Sequence, residues 1–462
     1  MNFQFVFLTT DYVVCALLLF LAAYGIYSLR RKELRAKWAG VLSKPSAAAA
    51  ATVLLLFIAV AALDSVHFRS YLGGNGASDA PVLDVRTESL LDRLVPENAR
   101  LMEKSYSAPF SVTTFEKISR MEGGKSVRDF EPLQHAGSHL KDRSQHAADV
   151  RSKAAAGLAK GAGASLFLWA AVWGLFRKFS GAGAKFTASP LFCAAATLTV
   201  FTVLFFLVRD LWPYYHVLGT NQTGGDILYE ALKSHRTALV IGSLATLSML
   251  PFAVMLGISA GFFMGKVDDA IQYIYTTLSS IPSVLLIAAS VLMIQVYIDS
   301  HPGLYETALE RADIKLFTLA LIIGVTGWSS LARLLRAETM KLSQMEYVQA
   351  ARAMGVSAFG IMRRHIFPNV LHIVLIVAVL DFSGIVLYEA VLSYVGVGVD
   401  PTTFSFGTMI NTGRLELSRD PVIWWNLAAA FFFMLLLVLA ANLFASSVRE
   451  AFDPRANTGR RS

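Results

Sequence analysis

The sequence predicts an all-α polytopic membrane protein, and three observations carry that prediction. Of 462 residues, 55% are hydrophobic and only 16% charged, more apolar surface than a water-soluble fold can bury. Apolar runs recur near 12–29, 48–66, 163–176, 187–208, 237–263, 270–297, 315–333, 370–398 and 424–445; as helices they suit a hydrocarbon layer about 30 Å thick. The formal charge is +8, and the basic residues gather in a few short segments between those runs. Membrane topology imposes that distribution, and no nucleic-acid partner is needed to explain it.

The first run, Tyr12 to Leu29, is followed by Arg30, Arg31 and Lys32 and has no basic region before it. A cleavable signal peptide has the opposite polarity and a small-residue cleavage site, so a retained span is expected. The third run is strongly apolar only from Leu166 to Leu175 and reaches spanning length by including Gly161, Ala162 and Gly163. Charge supports it. Segments 30–44 (Arg30, Arg31, Lys32, Arg35, Lys37, Lys44), 177–185 (Arg177, Lys178, Lys185) and 333–364, and the tail with Arg449, Arg455, Arg460 and Arg461, share one side only if about nine spans exist. The N-terminus is then outside and the C-terminus cytoplasmic. Cys15 and Cys193 both sit in apolar runs, which indicates neither a disulfide framework nor a CxxC pair.

This topology divides the chain into two N-terminal spans (1–66), an extracytoplasmic segment or small domain (67–161), an additional short span with an inner loop (162–186) and a core (187–456). The outer segment contains Gly74, Gly76, Pro81, Pro96, Pro109 and the Gly123-Gly124 pair, with helix-like stretches near 88–104 and 146–160. His135, His139 and His146 have helical spacing there, but Pro132 and Gly137 interrupt the helix and no carboxylate or cysteine completes a ligand pattern. A solvated face is the expectation, and no metal site.

Between two late spans lies a polar, basic loop, 344–368. Its helical stretch from Gln344 to Met354 is expected to bring Tyr347, Ala350, Ala351 and Met354 onto one shallow face, with Glu346 and Arg352 away from it. Gly355 is placed to stop the helix in a left-handed conformation, and Pro368 to restrict the backbone before the next span. Periodicity alone allows a docking knob or an interfacial helix resting on membrane lipid.

Tyr347, Val348, Ala350, Ala351, Arg352, Ala353 and Gly355, continued by Ile361, Arg364, His365, Ile366, Pro368 and Asn369, resemble the cytoplasmic signature loop of dipeptide/oligopeptide ABC-importer permeases. Gln349 stands where that family usually has glutamate, which removes the charge-assisted part of a contact, and Phe367 replaces a leucine. The resemblance runs on through His216, Gly219, Thr220, Gly224 and Asp226, then Arg236, Leu239 and Gly242. It continues through Pro282-Ser283, Glu389 to Gly398, Pro401, Ser405, Gly407 and Asp453-Pro454-Arg455. Gly225 and Phe406 depart from the family's arginine and tryptophan. About 187–456 is covered; the first 186 residues are an atypical extension.

The resemblance implies a six-span permease core beside about three added N-terminal spans. The loop would seat on a cytoplasmic ATP-binding subunit through Glu346, Tyr347, Gln349, Ala350, Ala351, Arg352, Gly355, Arg364, His365 and Pro368. Two such subunits or domains would carry ATP and Mg, joined by a homologous permease subunit and an extracytoplasmic substrate-binding protein; the substrate would be a peptide. His216, Gly219, Thr220 and Asp226 would belong to an outer gate or scaffold. The chain lacks a GxxxxGK[ST] phosphate loop, so it is not expected to be an enzyme itself and binds no cofactor.

Asp381 and Glu389, eight residues apart in one apolar span, must face protein or a wet cavity. Glu389 fits the family pattern; Asp381 does not, and is read as a contact on the translocation path, with a cationic or peptide amino group, or as a helix-pairing residue. Small residues at Gly257, Ala260, Gly261 and Gly265 and at Gly384, Gly396 and Gly398 permit close helix packing. Lys266, Asp268 and Asp269 read as a solvated inner turn. The competing functions are a membrane sensor or scaffold and a permease for another solute such as nickel.

Overall fold

The computed structural model describes residues 3–72, 82–84, 87–122, 125–140, 142–179, 189–301, 303, 305 and 307–452. Gly74, Gly76, Pro81, the Gly123-Gly124 pair, Lys185, Asp453-Pro454-Arg455, Arg460 and Arg461 lie outside them. In chain order the elements are β1 (Phe3–Val6), α1 (Thr9–Arg30), α2 (Lys32–Leu42), α3 (Pro45–Asp64), β2 (His67–Leu72), β3 (Val82–Leu83) and β4 (Glu88–Ser89). Next come α4 (Leu90–Leu94), α5 (Glu97–Arg100), β5 (Thr113–Glu122), β6 (Lys125–Pro132), α6 (His146–Phe179), α7 (Pro190–Leu211), α8 (Ile227–Phe263), α9 (Gly265–Ser280) and α10 (Ser283–Ser300). The remainder is α11 (Ala308–Gly327), α12 (Ser329–Ser343), α13 (Glu346–Ala353), α14 (Ala358–Ile361), α15 (Phe367–Val395), α16 (Phe406–Glu416) and α17 (Trp425–Phe452).

Among the described residues nine helical stretches are long and apolar enough to cross a membrane, and the protein is an all-α polytopic membrane protein. The third run is the C-terminal part of α6, a helix of 34 residues. The run at 270–297 is two helices rather than one. Pro282 cannot donate an i→i−4 bond, so α9 ends at Ser280 and α10 starts at Ser283.

The described strands lie near the N-terminus and within 67–161. The alternating His67-Phe-Arg-Ser-Tyr-Leu72 makes β2 the hub of a sheet. It pairs antiparallel with β1 (Phe3 opposite Ser70, Val6 opposite His67), with β3 and with β4. β5 and β6 form a separate antiparallel hairpin. The stretch read as helical near 88–104 contains only the short α4 and α5; Ser89 and Asp92 close a reciprocal capping box at the start of α4.

The chain divides into two compact units. The first comprises Met1–Asp11, Leu42–Thr237 and Phe404–Ala440. Within it α6 and α7 lie backbone to backbone because Gly157 and Gly161 have no side chain: a Cβ at either would stand 2.8 Å from the Cα of Leu207 or Val203. The N-terminal segment is welded to the start of α8. Arg236 Nη2 donates to Thr10 Oγ1 (2.6 Å) and Asp11 Oδ1 (2.7 Å), while Asp11 Oδ2 lies 2.8 Å from His67 Nδ1. A buried charge needs such satisfaction to persist.

The second unit comprises Tyr12–Val41, Ala238–Thr403 and Ala441–Ser462. One core cluster joins Val14 of α1 to Ile241 and Leu244 of α8, Ile287 of α10 and Leu316 and Leu319 of α11. A second joins α8, α9, α12, α13 and α15. Helices α8 and α12 close on each other at Gly257 and Gly261, where an added Cβ would meet the carbonyls of Ala332 (2.7 Å) and Arg336 (2.5 Å). Asp268 is not in a solvated turn as expected. It is buried, and Arg336 grips both its oxygens at 2.5 and 2.6 Å. That hydrogen-bonded guanidinium holds its carboxyl below the ordinary range.

Candidate functional site

The loop after α12 is built to present one short helix rigidly. α13 has eight residues, fewer than an isolated helix needs to be stable in water, so its order comes from packing. Val348 is fully buried and Ala351 2% exposed, both within the cluster that also contains Phe262, Leu335, Ile361 and Val370. Burial of the Val348 side chain contributes about 1.5–3 kcal/mol. The C-terminus is a complete Schellman motif: Gly355 N donates to Arg352 O and Val356 N to Ala351 O, both at 3.1 Å, with Gly355 at φ +78°. Val356 packs on the same cluster as Ala351, which supplies the motif's usual apolar contact.

The remaining side chains face outward. Tyr347 is 44% and Met354 77% exposed, and Glu346, Gln349, Ala350, Arg352, Arg364 and Pro368 are exposed as well. The face therefore differs from the expected one at Ala351, which points into the chain's own core beside Val348. Three-residue spacing from Val348 carries that inward stripe. Gln349 donates to Gln344 O at 3.1 Å, an intra-loop bond made by the amide that replaces the family's glutamate. The Arg352 guanidinium sits 5.1 Å from the Phe262 ring centroid, so it lies on the helix flank rather than reaching free into solvent. Asn369 Nδ2 bridges His365 O (2.6 Å) and Tyr347 Oη (3.3 Å), tying the knob to the start of α15.

Pro368 does not interrupt the helix. α14, a π-helical turn at Met362–Ile366 and α15 form one continuous helical stretch, Ala358–Val395. Phe367 N reaches back five residues to Met362 O, a widened turn that accommodates the missing proline N–H without breaking the helix. The knob is thus continuous with a long membrane helix.

That helix also carries the two acidic residues. Glu389 is 2% exposed and accepts a bond from Ser393 Oγ at 2.7 Å. Asp381 is half-buried, and among the described residues it has neither a hydrogen bond nor an ion pair. The two do not share an environment: Glu389 faces the packed side and Asp381 the edge of it. An unpaired carboxylate at mid-span costs about 2.5–3.5 kcal/mol on insertion scales.

The cluster around His216 and Asp226 lies in the first unit. His216 Nδ1 is 2.7 Å from Asp226 Oδ2, which also accepts from Trp212 Nε1 at 3.1 Å. Glu103 Oε1 lies 3.6 Å from His216 Nε2, an ion-pair separation. Glu103 in turn accepts the backbone N–H groups of Gln134 (2.7 Å), His135 (2.8 Å) and Ala136 (3.0 Å). Burial disfavours the charged imidazole, but the hydrogen bond with Asp226 and the negative charge of Asp226 and Glu103 outweigh it and raise the His216 pKa to about 9. Burial also opposes ionisation of Glu103, yet the nearby His216 imidazole and the bonds from the three amides take it to about 2.

Thr220 Oγ1 bonds Ser105 O (2.9 Å), Ser107 N (2.6 Å) and Ser107 Oγ (3.1 Å), and Trp425 Nε1 donates to Thr220 O at 3.1 Å. Gly219 (φ +76°) passes so close to Ser107 that a Cβ would stand 2.5 Å from its carbonyl oxygen. The four residues are therefore brought together, with partners from the core in Trp212 and Trp425 and from the added segment in Glu103, Ser105 and Ser107. No local pattern singled out Glu103, because the histidine it meets lies far along the chain. The three histidines of that segment do not converge: His139 Nε2 meets Asp149 (2.9 Å) and His146 Nε2 meets Phe110 O (2.7 Å).

An all-α membrane protein whose long apolar helix carries a rigid, exposed helical knob has the make-up of a transport permease. The description "Binding-protein-dependent transport system inner membrane component" matches residues 253–458. The oligopeptide transport system permease protein OppC of Mycobacterium bovis is 32% identical over 246 residues, 53% of this chain and 78% of the relative. The di/tripeptide transport system permease protein DppC of Pseudomonas aeruginosa is 31% identical over 240 residues, 52% of this chain and 72% of the relative. The dipeptide transport system permease protein DppC of Lactococcus lactis is 29% identical over 242 residues, 52% of this chain and 64% of the relative. The chain belongs to the family of binding-protein-dependent transport system inner-membrane components, the permeases of ABC importers. It is a transport component.

Proposed function

We propose that the chain is the permease subunit of an ATP-driven importer of dipeptides or oligopeptides in the bacterial inner membrane. The peptide transport named for its relatives supports the substrate class. Residues 187–456 act as the core and 67–161 lie outside, with the N-terminus outside and the C-terminus cytoplasmic. A homologous permease subunit, two ATP-binding subunits or domains that hold ATP and Mg, and an extracytoplasmic substrate-binding protein complete the machine.

The observation that carries the reading is α13, exposed on one face and anchored through Val348 and Ala351 in the cluster that contains Val370 and Val374 of α15. A push on Tyr347, Ala350 or Met354 passes into α15 without a flexible joint, because close-packed cores transmit displacement. Glu346, Gln349, Arg352, Arg364 and His365 line the contact, Gly355 and Pro368 set its angle, and His216, Gly219, Thr220 and Asp226 hold the outer scaffold. Asp381 lines the path, while Glu389 serves helix packing.

The test is affinity purification of the intact assembly with Ala350→Arg beside wild type. Loss of the ATP-binding subunit with retention of the homologous permease is expected. Unchanged recovery of both, with unchanged uptake, overturns the docking role.

A further inference from the structure

We infer that Asp381 recognises the ammonium group of the transported peptide as it passes along α15. The inference rests on the peptide-import reading above and names the group that reading leaves open. Asp381 lies 14 residues before the end of the continuous helical stretch Ala358–Val395, about 21 Å along its axis at 1.5 Å per residue. A carboxylate inside so apolar a helix is retained only where it meets protein, a cation or a wet cavity.

Other acidic residues of the apolar helices are supplied with partners by the chain itself. Asp11 has His67 and Arg236, Asp210 has Lys160, and Glu389 has Ser393. Asp381 stands apart from these among the described residues. Its neighbours show why. Phe382 packs where Gly242 has no side chain, and Ser383 Oγ bonds Asn442 Oδ1 at 2.6 Å, so the packed side of α15 begins one residue later. One turn along, Gly384 has no atom within 4 Å of where a Cβ would stand. Two turns along, Tyr388 Oη meets Ser283 Oγ at 3.0 Å. The carboxylate thus stands at the edge of the packed side of α15, one turn from the exposed Gly384 and two from that hydroxyl pair.

A small cation with hydrogen-bond donors complements this setting. A metal ion would need further hard ligands, and no group of three His, Cys, Asp or Glu residues is assembled for one among the described residues. An ammonium needs one carboxylate and water or hydroxyl acceptors. In a peptide it comes from the N-terminus or from a lysine side chain.

The test is uptake by the complete complex in proteoliposomes, with wild type, Asp381→Asn and Asp381→Glu, and three probes: trialanine, N-acetyl-trialanine and N-acetyl-Ala-Lys-Ala. Asp381→Asn is expected to slow trialanine at least tenfold relative to wild type and to leave N-acetyl-trialanine unchanged, with Asp381→Glu recovering most of the loss. A matching loss for N-acetyl-Ala-Lys-Ala assigns the site to any ammonium; no loss there assigns it to the N-terminus. Equal slowing of all three, or reduced recovery of the second permease with Asp381→Asn, makes Asp381 a subunit-pairing residue and overturns the inference. Unchanged trialanine uptake also overturns it. Wild type that carries none of the probes overturns the peptide reading itself.

Discussion

Gly355 gives the sharpest test of how α13 is held. Its φ is +78°, and no atom lies within 4 Å of where a Cβ would stand, so a substitution there meets no steric wall and costs only what left-handed backbone costs. That is about 1–2 kcal/mol for an ordinary L-residue, toward the upper end for a β-branched one and smaller for asparagine, which tolerates the conformation. At about 2 kcal/mol the closed cap shifts about thirtyfold toward the open one. Opening releases two bonds, Gly355 N to Arg352 O and Val356 N to Ala351 O, and frees the angle of the knob. Reconstituted complexes of Gly355→Asn, Gly355→Ala and Gly355→Val should lose coupling of ATP hydrolysis to uptake in that order. Hydrogen exchange at the Val356 amide should rise in parallel. A ranking by side-chain volume with Asn worse than Ala, or full coupling in Gly355→Val, refutes the argument.

Two further outcomes are expected. At Gly224 (φ +81°) a side chain runs into the backbone of Glu103; Gly224→Ala should cost at least about 3 kcal/mol, read as lost expression and early protease cleavage between 103 and 110. The His216 cluster should make the outer region sensitive to alkali. A folded pKa of about 9 against 6.5 gives a contribution fully present below pH 6.5 and lost as pH rises through 9. Glu103, lowered from 4.5 to about 2, adds one present above pH 4.5 and lost as pH falls through 2. Thermal melting of the intact assembly between about pH 6 and pH 9.5 should show the alkaline loss, and His216→Asn should flatten it; an unchanged slope in the variant refutes the assignment.

The amino-acid order alone determined the membrane class, the approximate positions of the apolar helices and the glycine stop of the knob, because each depends on local chemistry. Hydrocarbon selects runs of apolar residues, and a left-handed position selects glycine. The doubtful third helix was legible through charge rather than hydropathy, since its removal would put basic segments on opposite sides. The split at Pro282 and the unbroken helix through Pro368 were not legible as such. Proline forbids a bond in both places, and only the surrounding backbone decides whether the helix ends, as after Ser280, or widens into a π turn, as at Met362–Ile366.

The tertiary structure alone decided which side of α13 is free. Ala351 and Ala350 are the same residue type, and only packing against the cluster of Phe262 and Leu335 turns one inward. It likewise joined Glu103 to His216, Asp11 to Arg236 and Arg336 to Asp268, and left Asp381 without such a partner among the described residues. Pairing of buried charge is a long-range property, because its energy depends on distance through space and on exclusion of water, and neither is written in the spacing of residues along the chain.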